Sequence, residues 1–379
     1  MQVGRRTALA GLGLAGLVRP VEATDGMAGL ELAVAARCPT TPTGITVSRG
    51  GRLFVFMPRF DGATRFTAGE VAVDGTVTPF PNAAANQPDP NRPQDTLFHV
   101  PNGVMDAADR LWLLDAGLMA SAGPPVKGAP KLVCLDIGSG AVLRVIPLTP
   151  GVVPTSSLND LRVRAGSGGR EVAFITDQGQ DGQGAILAVD LASGRVARWL
   201  GRHSSTRSVE GVVKIVEGRS LMQRGKGGAV RPVQGGANGL ALTADGARVF
   251  YSPLMARRLY SADAAIMLDP DATDAAVAAT VVDHGEKGLT GGLIADDRGR
   301  IYLALQELNA VGRWTGKDEV EILASGPDLV WPDTFWITPD RWLYVSATQV
   351  NRRPEYNGGE DRQKPPYGIY RMRIDAGPA

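Results

Sequence analysis

The chain has 379 residues, 44% hydrophobic and 21% charged, with 48 glycines and 26 prolines, which suits a large all-β protein rich in turns. Forty basic against 39 acidic residues leave a net charge of +1, so no global field draws nucleic acid or an anionic membrane. No basic stripe with interleaved aromatics and no heptad or long helical period is present.

In chain order, Gly4-Arg5-Arg6-Thr7 precedes an apolar, Gly-rich run from Ala8 to Val18 that is too short to span a membrane. Val21-Glu22-Ala23 offers a small-residue cleavage site. Residues 1–23 therefore read as an export signal, and the Arg5-Arg6 pair suggests the twin-arginine route. The mature chain is expected in the periplasm or outside the cell. Leu30 to Ala35 reads as a strand.

One pattern then recurs: a polar entry, an apolar run, a turn, and a second apolar run, which is the signature of a β-hairpin. It joins Gly44–Val47 to Leu53–Phe56, Asn102–Met105 to Leu111–Leu114, and Asn159–Val163 to Val172–Ile175 through Gly166 to Gly169. It joins Asn238–Leu242 to Val249–Tyr251, Gly291–Ile294 to Ile301–Leu303, and the run beginning at Asp333 to Trp342–Ser346 through Pro339-Asp340. Further strand pairs follow, such as Leu132–Leu135 with Val142–Val145 and Ala185–Val189 with Arg195–Trp199. A lone hairpin cannot bury its apolar face, so the repeats must stack. Two hairpins per repeat make a four-stranded blade, and six repeats predict a six-bladed β-propeller. Length alone would allow two domains, but the ring uses all of residues 24–379 as one.

The terminal strand Gly368 to Ile374 lacks a following partner, so Leu30 to Ala35 is expected to complete its sheet and close the ring. Cys38 and Cys134, the only cysteines, then lie on either side of blade one and are expected to be free. Three stretches break the rhythm: Asn82 to Gln94, Gly201 to Gly236, and Gln349 to Pro366. The second contains Val212-Val213-Lys214-Ile215-Val216, which reads as an extra strand pair. Long loops in a compact fold are often functional.

In a propeller the starts of the innermost strands share one rim of the central channel. The repeats place Thr43, Asn102, Asn159, Asn238, Gly291 and Asp333 there. The loops after the second strands add Arg59, Asp115, Asp177, Gln178, Gln306 and Thr348, and the loops entering the rim add His99, His284 and Trp331. Converging amides and carboxylates suit a polar ligand or a hard cation, although the same residue types also cap turns. His99 and His284 precede inner strands and are candidate acids or bases. None of the three histidines has a neighbour at metal-ligand spacing. No nucleophile elbow, phosphate loop or dinucleotide fingerprint occurs, so neither a metal nor an organic cofactor is expected. The expected partner is a small molecule, bound by a monomer with no membrane span.

Several stretches are specific when taken together: Arg110-Leu111-Trp112-Leu113-Leu114-Asp115-Ala116-Gly117, Leu158-Asn159-Asp160-Leu161, Ala173-Phe174-Ile175-Thr176-Asp177, Tyr251-Ser252-Pro253-Leu254 and Trp331-Pro332-Asp333-Thr334-Phe335. Through them the chain resembles the major royal jelly protein / Yellow family, including its bacterial members. The resemblance implies a secreted six-bladed propeller. Its members include proteins that convert dopachrome to dihydroxyindoles, proteins that bind biogenic amines, and nutritive proteins. It therefore implies a pocket for an aromatic amine, catechol or quinone-like ring at the channel mouth. Trp331 or Phe98 would stack on the ring. Asp333, Asp160 or Asp177 would act as the base, and Asn102, Asn159 and Asn238 would be amide donors. Asp333 is the first choice, because it opens an inner strand beside Trp331. A rival class is the regucalcin and gluconolactonase propeller, which holds a divalent cation with a Glu in blade one, an Asn in blade four and an Asp in blade five. Asn238 matches the Asn, but Thr43 and Gly291 stand at the other two positions. A third class is a binding protein that turns nothing over.

Overall fold

The repeated hairpins form the inner halves of six antiparallel four-stranded sheets, and these close into a β-propeller. The computed structural model describes residues 30–60, 64–165, 170–224 and 228–379. The export signal and the turn from Gly166 to Gly169 lie outside the described residues. The inner strands of blades one to six are Gly44–Val47, Asn102–Met105, Leu158–Ala165, Ala237–Leu242, Thr290–Ala295 and Pro332–Ile337.

The period of two along each strand sends alternate side chains to opposite faces. On Arg110–Asp115, Leu111 and Leu113 pack in a cluster with Phe54 and Phe56 of blade one, while Trp112 and Leu114 pack in a cluster with Leu161 and Ile175 of blade three. A blade is thus buried on both faces, which is why its strands read as nearly unbroken apolar runs. Turn chemistry fits too: the hairpin of blade four reverses at Asp245-Gly246, where Gly246 takes φ 72.

The ring closes as the terminal strands require, with one shift. Blade six runs outward as Pro332–Ile337, Trp342–Ala347, Tyr367–Arg373 and then Ala33–Cys38, antiparallel to its neighbour. The closing strand therefore starts three residues later than Leu30. The Leu30 N–H instead donates to Leu323 O in blade five, at 2.8 Å, so the chain crosses that blade before it pairs. Cys38 lies in blade six and Cys134 in blade two; both thiols are buried and unbonded. Burial pushes Cys38 up to about 12 and Cys134 to about 11, so neither is a reactive thiolate at neutral pH.

Two features add to the plain ring. Blade four inserts two short helices, Ala264–Leu268 and Asp274–Ala278, before its outermost strand Val282–Glu286. The stretch after blade three forms two hairpins, Ile215–Val216 with Arg219–Ser220 and Met222–Arg224 with Val230–Pro232. Val216, Leu221 and Val233 of this insertion pack with Leu254, Met255, Val330, Trp331 and Val350, placing a cap over one mouth of the channel. Among the described residues no helix is long and apolar enough to cross a membrane.

Candidate functional site at the capped mouth

The inner strands of blades three to six are irregular at their starts. Pairing breaks between Leu158 and Leu161, Ala237 and Gly239, Thr290 and Leu293, and Pro332 and Phe335. Such breaks re-aim side chains at rims and binding sites. Asn159, Asp160, Asn238, Gly291 and Asp333 all fall within them, out of regular pairing.

Asp160 is the hub of the mouth. One carboxylate oxygen accepts from Asn102 Nδ2, from the Leu161 N–H at 2.8 Å and from Arg162 at 2.8 Å; the other accepts from the Leu240 N–H at 3.0 Å. It therefore ties together blades two, three and four. Burial raises its pKa, and Arg162 opposes that. Arg162 reaches on to Leu293 O of blade five, crossing the channel. Sequence reasoning overlooked Arg162, although a charged residue on an inner strand has little space except the axis. With four donors bonded to its two oxygens, Asp160 is a scaffold for the mouth rather than a free base. Asn102 is likewise held between Asp160 and the Gly103 N–H, at 2.8 Å.

Asp333 differs. It keeps an accessible face while sitting deep beneath the cap, and among the described residues no donor is bonded to its carboxyl. Burial pushes it up to about 8; the nearby Asp160 charge adds to this and Lys214 opposes it. The carboxyl is thus largely protonated at neutral pH. Lys214 comes from the cap, is fully buried, donates to Gln306 Oε1, and lies 4.7 Å from the centre of the Trp331 ring. Burial pushes Lys214 down to about 7, against the pull of Glu307 and Asp333. Gly291 makes room for this group: a Cβ there would stand 2.6 Å from Gln306 Nε2 and 3.1 Å from Asp333 Oδ1. Trp331 is held at φ 56, with its carbonyl accepting from the Thr348 N–H at 3.1 Å. A tryptophan in the left-handed region is costly, and such strain gathers at functional sites. Asn238 adds an Oδ1 that is buried and has no donor.

A second buried lysine shows how a structural one looks. Lys131, also fully buried, donates to Pro93 O, Thr96 O, Ala129 O and Asp115 Oδ2, at 2.7–3.1 Å. All its protons are engaged. Lys214 has one bonded partner. The sequence carried a signal for it: a lone lysine inside Val212-Val213-Lys214-Ile215-Val216.

Other expected residues are placed elsewhere or already occupied. Asp115 accepts from the N–H groups of Phe98, His99 and Gly117 and from Lys131, so it anchors a loop. Asp177 does the same one blade on, accepting from Ser156 Oγ, the Ser157 and Gly179 N–H groups and Arg198, which leaves nothing for a substrate. His284 does not enter the rim. It lies on the outermost strand of blade four, stacked on Phe250 at 5.0 Å and bonded to Ser261 at 2.8 Å. The two helices of that blade lengthen it, so a segment close to the next inner strand in sequence is still an outer strand. His99 is buried beside Phe60, has an unpartnered Nδ1, and is pushed down to about 4 by burial. Among the described residues no cluster of three or more His, Cys, Asp or Glu is arranged to hold a metal.

Six four-stranded blades thus surround a channel whose capped mouth is lined by amides, a carboxyl and a lysine. Residues 102–357 match the major royal jelly protein family, and the chain belongs to that family. Major royal jelly protein 7 of Apis mellifera is 25% identical over 216 residues, covering 56% of this chain and 45% of that protein; the match thus spans about half of the relative's length. Among solved structures, a luciferin-regenerating enzyme superposes with a TM-score of 0.55 at 13% identity, covering 93% of this chain and 98% of the other. A calcium-binding regucalcin from Agrobacterium tumefaciens gives 0.53 at 16% identity over 91% and 96%. A gluconolactonase from Xanthomonas campestris gives 0.54 at 12% over 91% and 90%. At these identities the structural likeness speaks for the fold alone.

Proposed function

We propose that this protein is an exported, Yellow-like propeller that binds a small planar, oxygen-bearing ring, such as a catechol-derived quinone, beneath the cap and moves a proton on it. The observation that carries this is the pairing of Lys214 with Asp333. A buried amine with one bonded partner lies near a buried carboxyl with none, and both are shifted toward neutral pH in their uncharged forms. The usual roles are thereby exchanged. Lys214 takes a proton from a ring carbon as the amine, and Asp333 gives one to the ring oxygen as the carboxylic acid. The ring gains and loses one proton, and the resulting ammonium and carboxylate exchange theirs to reset the pair. Trp331 supplies a stacking face, and Asn159 and Asn238 flank the oxygen-bearing edge, while Asn102 holds Asp160. No redox cofactor is needed for such a step.

The calcium of regucalcin is poorly matched by these residues. Thr43 and Gly291 supply no carboxylate, Asp160 is already held by four donors including Arg162, Asp333 is largely protonated, and a lysine points into the same mouth. Lactone hydrolysis through a bound cation is therefore the weaker reading.

The test is the rate of dopachrome conversion by wild type, Lys214→Met and Asp333→Asn, with binding measured in parallel. Acceleration by wild type that both variants lose supports the assignment. Binding without acceleration leaves a carrier of the same ligand. Neither binding nor acceleration overturns the reading.

A further inference from the structure

The opposite mouth is a separate cavity. The C-terminal ends of the inner strands enclose about 420 Å³ there, within the roughly 300–1,000 Å³ of ordinary small-molecule sites. Its wall is apolar: Val47, Val104, Met105, Leu242, Ile294 and Ile337. Trp336 and Arg162 form the floor, where Arg162 crosses the channel and Trp336 packs against apolar clusters of three neighbouring blades.

The polar groups of this cup are unbalanced. Arg162 is 8% exposed and its Nε has no acceptor; the buried Nε1 of Trp336 has none either. Unpartnered buried donors are rare in folded proteins. Neither aspartate at the rim bonds to them. Asp106 is taken by Arg110 at 2.6 Å and Trp112 Nε1 at 2.8 Å, and Asp109 accepts from the Arg49 N–H at 3.0 Å. Arg49 and Arg164 add two more cations at the rim. The cup thus combines an apolar wall with buried donors that lack acceptors.

We propose that this cup is a second ligand site, for a small carboxylate with an apolar body, its carboxylate directed at Arg162 and Trp336 and its body along the apolar wall. A carboxylate has lone pairs enough to accept from both floor donors, and charge-assisted bonds of this kind are the stronger ones. The site is independent of the capped mouth and does not require the activity proposed there.

The experiment is calorimetric titration of the mature protein with octanoate, octylamine and octanol, followed by tryptophan fluorescence. Octanoate is expected to bind saturably at one site per chain, to perturb the emission, and to bind equally well to Asp333→Asn. Octylamine should not bind, and octanol should bind more weakly. Trp336→Phe keeps the wall and removes one donor; it should weaken octanoate about three- to tenfold, one hydrogen bond's worth. Absence of saturable octanoate binding, equal binding of octylamine, or loss of binding in Asp333→Asn would each overturn the proposal. The comparison of octanoate with octylamine uses wild type alone, so it stands even where the Trp336 variant fails to fold.

Discussion

The two mouths of the channel are made by the same six strands and are chemical opposites. At the strand starts, four of the six strands break their pairing, and amides and a carboxyl gather under a cap that contributes a lysine. At the strand ends the ladder runs regularly and leaves an apolar cup open to solvent. Arg162 and Trp336 stand between them. Regular β-structure alternates side chains with no means of making a polar cluster; a bulge supplies that means, and an insertion encloses it. Chemistry is thus expected where the propeller departs from its own repeat.

The largest effect should come from the cap. Lys214→Met keeps the volume and removes the amine, and the rate of ring isomerisation should fall by about 10²- to 10⁴-fold, the usual worth of a positioned acid or base. The same change deletes a buried, under-bonded cation, so thermal unfolding should shift upward or stay put. A rate loss accompanied by a falling melting temperature would instead make Lys214 structural, like Lys131.

Asp160→Asn should act on stability. It leaves Arg162 buried without its counter-charge, and losing one partner of a buried pair costs about 3–5 kcal/mol. In the cup, by contrast, Ile337→Val should cost only about 0.5–1.5 kcal/mol. Urea unfolding of the two variants compares a hub with a wall.

The pH dependence separates the two titrating groups. The folded pKa of Asp333 is raised from 3.8 to about 8, so its contribution is present in acid and lost as pH rises through 8. The gain in stability of Asp333→Asn over wild type should therefore grow with pH and level off above about 8. Lys214 is lowered from 10.5 to about 7, so the unfolded chain holds its proton more tightly. Lys214→Met should gain most below pH 7 and least in alkali. The proposed proton transfer needs the amine free and the carboxyl protonated, which predicts a bell between apparent values near 7 and 8 that belong to the pair. A sigmoid rate profile with one inflection would reduce the machinery to one group.

The ring was legible in the sequence because the hairpin repeats within a few residues of itself. Asn102–Met105 and Arg110–Asp115 announce their pairing by alternation and by the turn between them. The candidate site was legible in part. Asp333, Trp331 and Gln306 are reached by counting along the repeats. Lys214 is not, because its bond to Gln306 spans 92 residues and it belongs to a segment outside the repeat. His284 was misplaced for a related reason: the helices of blade four displace the count, and spacing from the next inner strand no longer marks the rim. Asp115 and Asp177 stand at equivalent places in two blades and hold loops in both, so a polar residue that recurs with the repeat is better read as part of it.

The smallest effect tests whether the cap is a fixed lid or a latch. Glu217, in the turn of its first hairpin, accepts from Arg352 Nε at 2.9 Å and Nη2 at 2.6 Å and from Asn351 Nδ2 at 2.9 Å. These three bonds join the cap to the loop between the second and third strands of blade six. Both side chains are partly exposed, so Glu217→Gln should lower global stability by at most about 1 kcal/mol. Its local effect should be larger. The Leu221 N–H donates to Lys214 O at 2.8 Å, inside the cap, and its hydrogen exchange reports cap opening directly. Faster exchange there, with unchanged exchange in Leu111–Leu114 of blade two, identifies a latch that opens without the ring. The hydrogen bonds from Arg352 and Asn351 also hold the Glu217 carboxyl below its ordinary 4.5. Its contribution is therefore present above that value and lost as pH falls through the lowered one, so in wild type the same loosening should appear only in acid. Equal exchange at Leu221 in wild type and variant would show that the apolar contacts of Val216, Leu221 and Val233 hold the cap by themselves.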